Sequence, residues 1–507
     1  MLFRSPDIHR DPNIARTPPQ RLCSRKAQAC YGWDIAPRLV TIGIWRPVEI
    51  LVCDAVEINN PWVQTQRLEN SHAEVELEFT VKVHDQEPHH LNINIELYDQ
   101  TRSLDVDIES DETHIKEKFV LENPPLWWPH NHGTPTLVSY RITAAENNEV
   151  VDYYEGRFGI RTIKLVEEPV GENRTSFYFE INNKPIFLKG MNWTPCDAIY
   201  ARITTDHYTR LLEKAVDANI NALRVWGGGI YEADAFYDLC DEMGILVWQD
   251  FMFACGVYPQ DSEFLEEVQQ EAEFIVQYLR DHPSLFVWCG DNEVDWVHLQ
   301  QNIPGFTNNR INREILPAVC RQFDPDRPYI PSSPFSYNED HPNAEESGNM
   351  HLWKHGSSYV DEFYVKCRPN MVTEIGFISL PDLNVIKSFI PEDKLWPVEN
   401  EYWYLHCSDP LRTGDSYRVS SWFSSISKSG LPKPDDLDSL IRLSQQLQLE
   451  ATAFWIEHFS SQPDCWGIFL WNLCDCWPQV SDAYIAYGFH EKPALRAAKE
   501  GYGKIHR

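Results

Sequence analysis

From Gly171 onward, short apolar runs alternate with amphipathic segments: "KPIFLKGMNW", "DHYTRLLEKAVDANI", "ALRVWGG", "EADAFYDLCDEMG", "ILVWQDF", "DSEFLEEVQQEAEFIVQYLRDH" and "SLFVWCGDNE". Strand and helix in strict alternation predict a parallel sheet. Sustained over about 330 residues, the alternation predicts a (β/α)8 TIM barrel. The remaining barrel strands are expected at "RPYIPSSP", "GNMHLW", "NMVTEIGF" and "CWGIFLWNL". The stretch from Ile378 to Pro434 is too long for an ordinary barrel connection and is expected to rim the site.

Upstream the period changes from helical to two. Between Ala55 and Lys164, "AEVELEFTVKVH" and "LNINIELYD" place apolar residues at every second position, and "TLVSYRITAA" and "VVDYYEGRFGIRTIKL" follow. About seven such strands with turn residues between them predict an immunoglobulin-like β-sandwich. Earlier still, "RKAQACYGWDIAPRLVTIGIWRPVEILV" suits two strands and a connecting loop, too few for a domain. Residues 1 to about 22 read as an irregular arm. The expected division is therefore 1–52, 53–164 and 165–507. The N-terminal "MLFRSPDIHRDPNIARTPPQ" has no apolar core of a leader, and no window approaches the ~20 apolar residues that span a bilayer. The chain reads as soluble, unexported and cytoplasmic.

Charge and composition narrow the chemistry. With 44 Lys and Arg against 76 Asp and Glu, the net charge of -32 repels phosphate backbones and anionic membranes, so neither nucleic acid nor membrane is expected as a partner. The 18 Trp serve either large aromatic cores or flat platforms for sugar rings. Thirteen cysteines without repeating spacing support neither a disulfide framework nor a zinc site, and fit a reducing compartment. His130 and His132 have metal-ligand spacing, but in a sandwich turn without convergent partners they read as a solvated loop. The sequence sets no oligomeric state.

Barrel chemistry sits at the C-terminal ends of the strands. The side chains expected there include Asn192, Arg224, Trp226, Gln249, Asp250, Asp291, Asn292, Glu293, Trp353, Glu374, Trp471 and Asn472. Taken singly, a Glu after an apolar run is usually a helix cap or a solvated residue. Two of them, Glu293 and Glu374, end the fourth and seventh strands, which the curvature of a barrel can turn toward each other. Hydrolysis of a glycosidic bond needs such a pair: one carboxyl to protonate the leaving oxygen, another to attack or to activate water.

These motifs resemble glycoside hydrolase family 2 from about residue 23 to 507, in the manner of its β-mannosidase branch. "WCGDNE" is similar to the family's strand 4 pair, which implies Glu293 as general acid/base and Asn292 as partner of the sugar 2-hydroxyl. "VTEIGF" implies Glu374 as nucleophile. "LKGMNWTPCDA", "LRVWGGGIYE", "ILVWQDFMFAC", "HLW" and "LWNLCDCWP" extend the match, and imply a terminal sugar held by Asn192, Arg224, Trp226, Trp353 and Trp471. "CYGWDIAPRLVTIGIWRPV" resembles the end of the family's N-terminal jelly-roll sugar-binding domain, of which only a remnant is expected here. Its Trp33 and Asp34 would reach the barrel mouth, or buttress an interface.

The resemblance implies a retaining hydrolase of β-linked sugars, most specifically terminal β-mannosides, needing no metal or organic cofactor. Two alternatives stay open. One is the same chemistry on a galactoside, glucosaminide or glucuronide; the other is a carbohydrate-binding remnant without catalysis.

Overall fold

The computed structural model describes residues 19–507 apart from 70, 86, 109–110, 172, 304–305, 339 and 408–416. Most of the expected irregular arm, residues 1–18, lies outside the described residues. The first strands, β1 (Tyr31–Trp33) and β2 (Ala36–Arg38), form a small antiparallel hairpin. Trp33 pairs with Ala36, so Asp34 and Ile35 are its two-residue turn.

The second β-branched run, "LVTIGIWRPVEILV", was expected as a strand and forms none. Its apolar residues find no sheet to join: Ile42 is 98% exposed and Ile50 90%. A strand needs a neighbour to take up its backbone hydrogen bonds, and propensity alone does not make one. Trp45 and Arg46 tether the run to the barrel. Trp45 lies 6.0 Å from the Tyr200 ring, and Arg46 donates to the Tyr231 carbonyl at 2.7 Å.

Seven antiparallel strands follow: β3 (Val56–Glu69), β4 (His72–Val83), β5 (His89–Leu97), β6 (Gln100–Ile108), β7 (Glu112–Glu122), β8 (Val138–Glu146) and β9 (Glu149–Phe158). They make two sheets, β3-β4-β7 and β6-β5-β8-β9. The alternation read from the sequence is the packing pattern. Val75, Leu77, Phe79 and Val81 of β4 face Leu91, Ile93, Ile95 and Leu97 of β5 in one buried core. Burial of such alternate side chains stabilises a sandwich by roughly 1.5–3 kcal/mol each. His130 and His132, expected in solvent, are half-buried, and the His130 amide donates to the Gly244 carbonyl at 2.6 Å.

A three-stranded sheet, β10 (Ile163–Val166), β11 (Tyr178–Ile181) and β12 (Lys184–Ile186), leads into the barrel. β10 spans the expected junction at 164/165. Phe179 packs edge-on to Phe286 and to Trp248, closing the barrel floor.

The eight parallel strands are β13 (Leu188–Trp193), β14 (Ala222–Val225), β15 (Leu246–Asp250), β16 (Leu285–Cys289), β17 (Tyr329–Ile330), β18 (Met350–Leu352), β19 (Val372–Ile375) and β20 (Gly467–Leu470). The ladder runs β17-β16-β15-β14-β13-β20-β19-β18. Between β17 and β18 it is closed by a Phe335–Asn349 bridge and side-chain bonds from Ser333. Pro328 and Pro331 flank β17, and a residue without an N–H cannot extend a ladder, which accounts for its two-residue length. No helix among the described residues is long and apolar enough to cross a membrane.

Candidate active site

Asp291, Asn292 and Glu293 leave β16 together but point to different places. Asp291 turns outward, accepting from the Val294 amide at 3.2 Å and from Asn312 at 2.6 Å, where it ties down the helix Val294–Gln300. Glu293 adopts a left-handed backbone with φ 58°, held by its N–H to the Ser333 carbonyl at 2.8 Å. A non-glycine residue in that region is strained, and such strain is found where a side chain must be aimed. Here it aims Glu293 into the mouth.

Glu374 reaches the same place from β19. Its Oε1 accepts from Arg224 Nη1 at 2.7 Å and its Oε2 from Trp353 Nε1 at 2.9 Å. His351 of β18 stands between the two carboxyls. Its Nδ1 lies 2.7 Å from Glu293 Oε1 and 3.3 Å from Glu374 Oε2, while its Nε2 contacts Ser333 Oγ at 3.0 Å. One carboxylate oxygen of each of Glu293 and Glu374 and one ring nitrogen of His351 lie within 4.8 Å of one another.

Arg224 underlies the site and uses all of its donors. Nε and Nη2 hold Asp250 at 3.3 and 2.8 Å, Nη1 holds Asn192 at 3.0 Å besides Glu374, and Nη2 also holds Asn292 at 2.8 Å. Burial works against its charge, but Asp250 and Glu374 drive the guanidinium further up, so it stays protonated. Asn192, expected against the sugar, is fully buried instead. Its amide donates to the Thr373 and Leu470 carbonyls at 2.9 and 3.4 Å, which makes it a brace beneath Arg224.

Burial raises both glutamates above the ordinary 4.5. Against that, Glu374 has the Arg224 guanidinium pulling it down, whereas Glu293 has a thiol, Cys255, at 3.2 Å and the more distant Arg224. Burial pushes His351 down to about 3, so its imidazole is neutral.

Four indoles wall the mouth. Trp33 meets Trp226 at 5.2 Å, Trp226 meets Trp471 at 5.6 Å, and Trp471 meets Trp353 at 6.1 Å. The glycine triplet after β14 seats this wall: a Cβ on Gly228 would lie 2.0 Å from the Trp226 ring. Asp34, on the hairpin turn, is anchored by Arg418 Nη2 at 2.9 Å, and Arg418 Nη1 holds Asp482 at 3.1 Å. Arg418 belongs to the helix Tyr417–Lys428 within the long interruption, and through it that helix reaches the mouth.

Sequence reasoning passed over His351, Cys255 and Arg418. His351 had a signal, since it lies on β18 two residues before Trp353, and extended backbone sends alternate side chains to the same face. Cys255 and Arg418 had none, being brought in by tertiary structure.

Residues 56–161 match the family model described as glycosyl hydrolases family 2, and residues 175–341 match its TIM barrel domain. Together they account for more than half of the chain. The beta-mannosidase B of Aspergillus clavatus is 31% identical over 503 residues, covering 94% of this chain and 58% of the relative. That of Aspergillus niger is 32% identical over 523 residues with the same coverage. Among solved structures, a beta-D-mannosidase from Dictyoglomus thermophilum superposes with a TM-score of 0.89 at 33% identity, over 98% of this chain and 60% of that one. The exo-chitosanase CsxA of Amycolatopsis orientalis, at 16% identity, TM-score 0.71 and coverage of 90% and 53%, shares the fold. The chain thus spans about three fifths of the length of the curated relatives it matches. On the family models, the relatives and the barrel they have in common, the chain belongs to the glycosyl hydrolases family 2.

Proposed function

We propose that the chain is a retaining glycoside hydrolase acting on terminal β-mannosides, with Glu374 as nucleophile and Glu293 as acid/base. The observation that carries this reading is the closeness of the two carboxyls, which bring one oxygen each within 4.8 Å of the other, beside His351. Retaining enzymes hold their carboxyls about 5–5.5 Å apart, whereas inverting ones leave about 6.5–9.5 Å for a water.

In the first step Glu374 attacks the anomeric carbon and the bond to the leaving oxygen breaks, with the proton of Glu293 passing to that oxygen. Arg224 supports this by keeping Glu374 ionised through a charge-assisted bond. In the second step Glu293, now a carboxylate, takes a proton from water, which displaces Glu374 from the sugar. The exchange of roles follows from charge: esterified Glu374 no longer repels a second carboxylate, so Glu293 gives up its proton more readily.

Asn292 Oδ1 accepts from Arg224 Nη2 at 2.8 Å and its amide nitrogen donates one hydrogen to Cys255 Sγ at 3.4 Å, leaving the other for the sugar 2-hydroxyl. Trp33, Trp226, Trp353 and Trp471 bury the apolar face of the ring, and Asp34 takes its distal hydroxyls. The mannoside is favoured over other epimers because the relatives at 31–33% identity are named for it.

A panel of nitrophenyl β-glycosides tests the sugar, with the mannoside expected to be turned over fastest. Glu374→Ala tests the nucleophile: activity should vanish and return in part with azide, which occupies the place of the lost carboxylate. Ordinary turnover by Glu374→Ala would refute the assignment.

A further inference from the structure

One contact at the site belongs to neither carboxyl partner of the mechanism. The Cys255 thiol donates to Glu293 Oε2 at 3.2 Å, on the side of the carboxyl opposite His351. The thiol is not a loose neighbour. Cys255 has a left-handed backbone, φ 42°, and its N–H donates to the Asn292 carbonyl at 2.8 Å. Its own carbonyl accepts from Arg21 Nη2 at 2.6 Å, and Arg21 Nη1 holds the Ala254 carbonyl at 3.0 Å. Arg21 is itself buried and stands 5.3 Å over the Trp33 ring. A strained cysteine is thus clamped from the N-terminal arm on one side and from Asn292 on the other, and the side chain so aimed meets Glu293.

We infer that Cys255 is a positioning residue for the acid/base, a weak donor that orients Glu293 without holding it ionised; the inference rests on the hydrolase reading above. The physical reason lies in the donor. A group that must be a carboxylic acid in one step and a carboxylate in the next is poorly served by a cation, which would fix the charged form. A thiol S–H is a weak, neutral donor. It restrains the carboxyl in both states and lowers its proton affinity less than a cation in the same place would. The other groups facing Glu293 are neutral His351, anionic Glu374, Asp34 on the hairpin turn and the more distant Arg224, whose charge is shared with Asp250 and Glu374.

The test uses Cys255→Ala and Cys255→Ser in the 507-residue chain, with aryl β-mannosides of differing leaving ability. Proton donation matters for a poor leaving group such as phenol and hardly at all for 2,4-dinitrophenol. Cys255→Ala should therefore lose about tenfold more rate on the phenyl than on the dinitrophenyl substrate. Its alkaline limb of kcat/KM should move to higher pH, because a carboxylate deprived of a donor binds its proton more tightly. Cys255→Ser, which keeps a donor, should recover part of both effects.

A readout independent of turnover is the S–H stretching band that disappears in Cys255→Ala. It should move toward the free-thiol frequency in Glu293→Gln, whose amide is a weaker acceptor. Equal losses on both substrates with an unmoved pH limb, or an S–H band indifferent to Glu293→Gln, would overturn the inference. Failure of the hydrolase reading has a different signature: Glu293→Gln itself would then show no leaving-group dependence.

Discussion

Glu374 and Glu293 enter the barrel mouth from β19 and β16 and meet at one nitrogen of His351, yet they are held by opposite kinds of partner. Glu374 is 5% exposed and bonded to a guanidinium and an indole N–H. Glu293 is 22% exposed, strained at its backbone, and bonded to a neutral imidazole and a thiol. Burial alone would push both toward the acid form; the full cation beside Glu374 opposes that, and the weak donors beside Glu293 do so far less. The difference teaches that, on the proposed mechanism, two chemically identical side chains would take the roles of nucleophile and acid from what surrounds them.

The comparison breaks first at Glu374. Glu374→Gln should lower kcat at least about 10^4-fold on every β-mannoside, because no other carboxylate can form the ester. Glu293→Gln should fall about 10^2- to 10^4-fold on phenyl β-mannoside and far less on the dinitrophenyl compound. Steady-state rates on the two substrates check both, and equal behaviour of the two variants would erase the distinction.

Next comes the distal end of the site. Arg418→Met frees Asp34 from its anchor, and kcat/KM should drop about tenfold, carried mainly by KM. A loss confined to kcat would place Asp34 outside the sugar-binding wall.

The smallest effect concerns stability. Since folding raises Glu293 above 4.5, the folded state holds more protons than the unfolded one as pH climbs past that value, so stability falls with rising pH across this window. Glu293→Gln removes the penalty. It should melt at a higher temperature than the parent near pH 7 and at the same temperature below pH 4.5, by calorimetry at both values.

Much of this was legible in the chain. The period of two in "AEVELEFTVKVH" and the strand-helix alternation after Gly171 reflect burial, which is local and leaves its mark residue by residue. Glu293 and Glu374 were legible because barrel strands deliver their last side chains to one place. The run at 39–52 misled, since β-branched residues report propensity and not whether a neighbouring strand exists. Arg418 was hidden for a geometric reason: it reaches Asp34 across 384 positions from a segment with no barrel pattern. Asn192 was misplaced because a polar residue at a strand end can face the mouth or brace an arginine beneath it, and sequence does not distinguish the two.

The most direct measurement is to trap the glycosyl-enzyme. Incubation with 2-deoxy-2-fluoro-β-mannosyl fluoride, followed by digestion and mass spectrometry, should find the fluorosugar esterified to the peptide that carries Glu374, and no label in Glu374→Gln. A label on Glu293, or none at all, would contradict the assignment of nucleophile and acid on which the account rests.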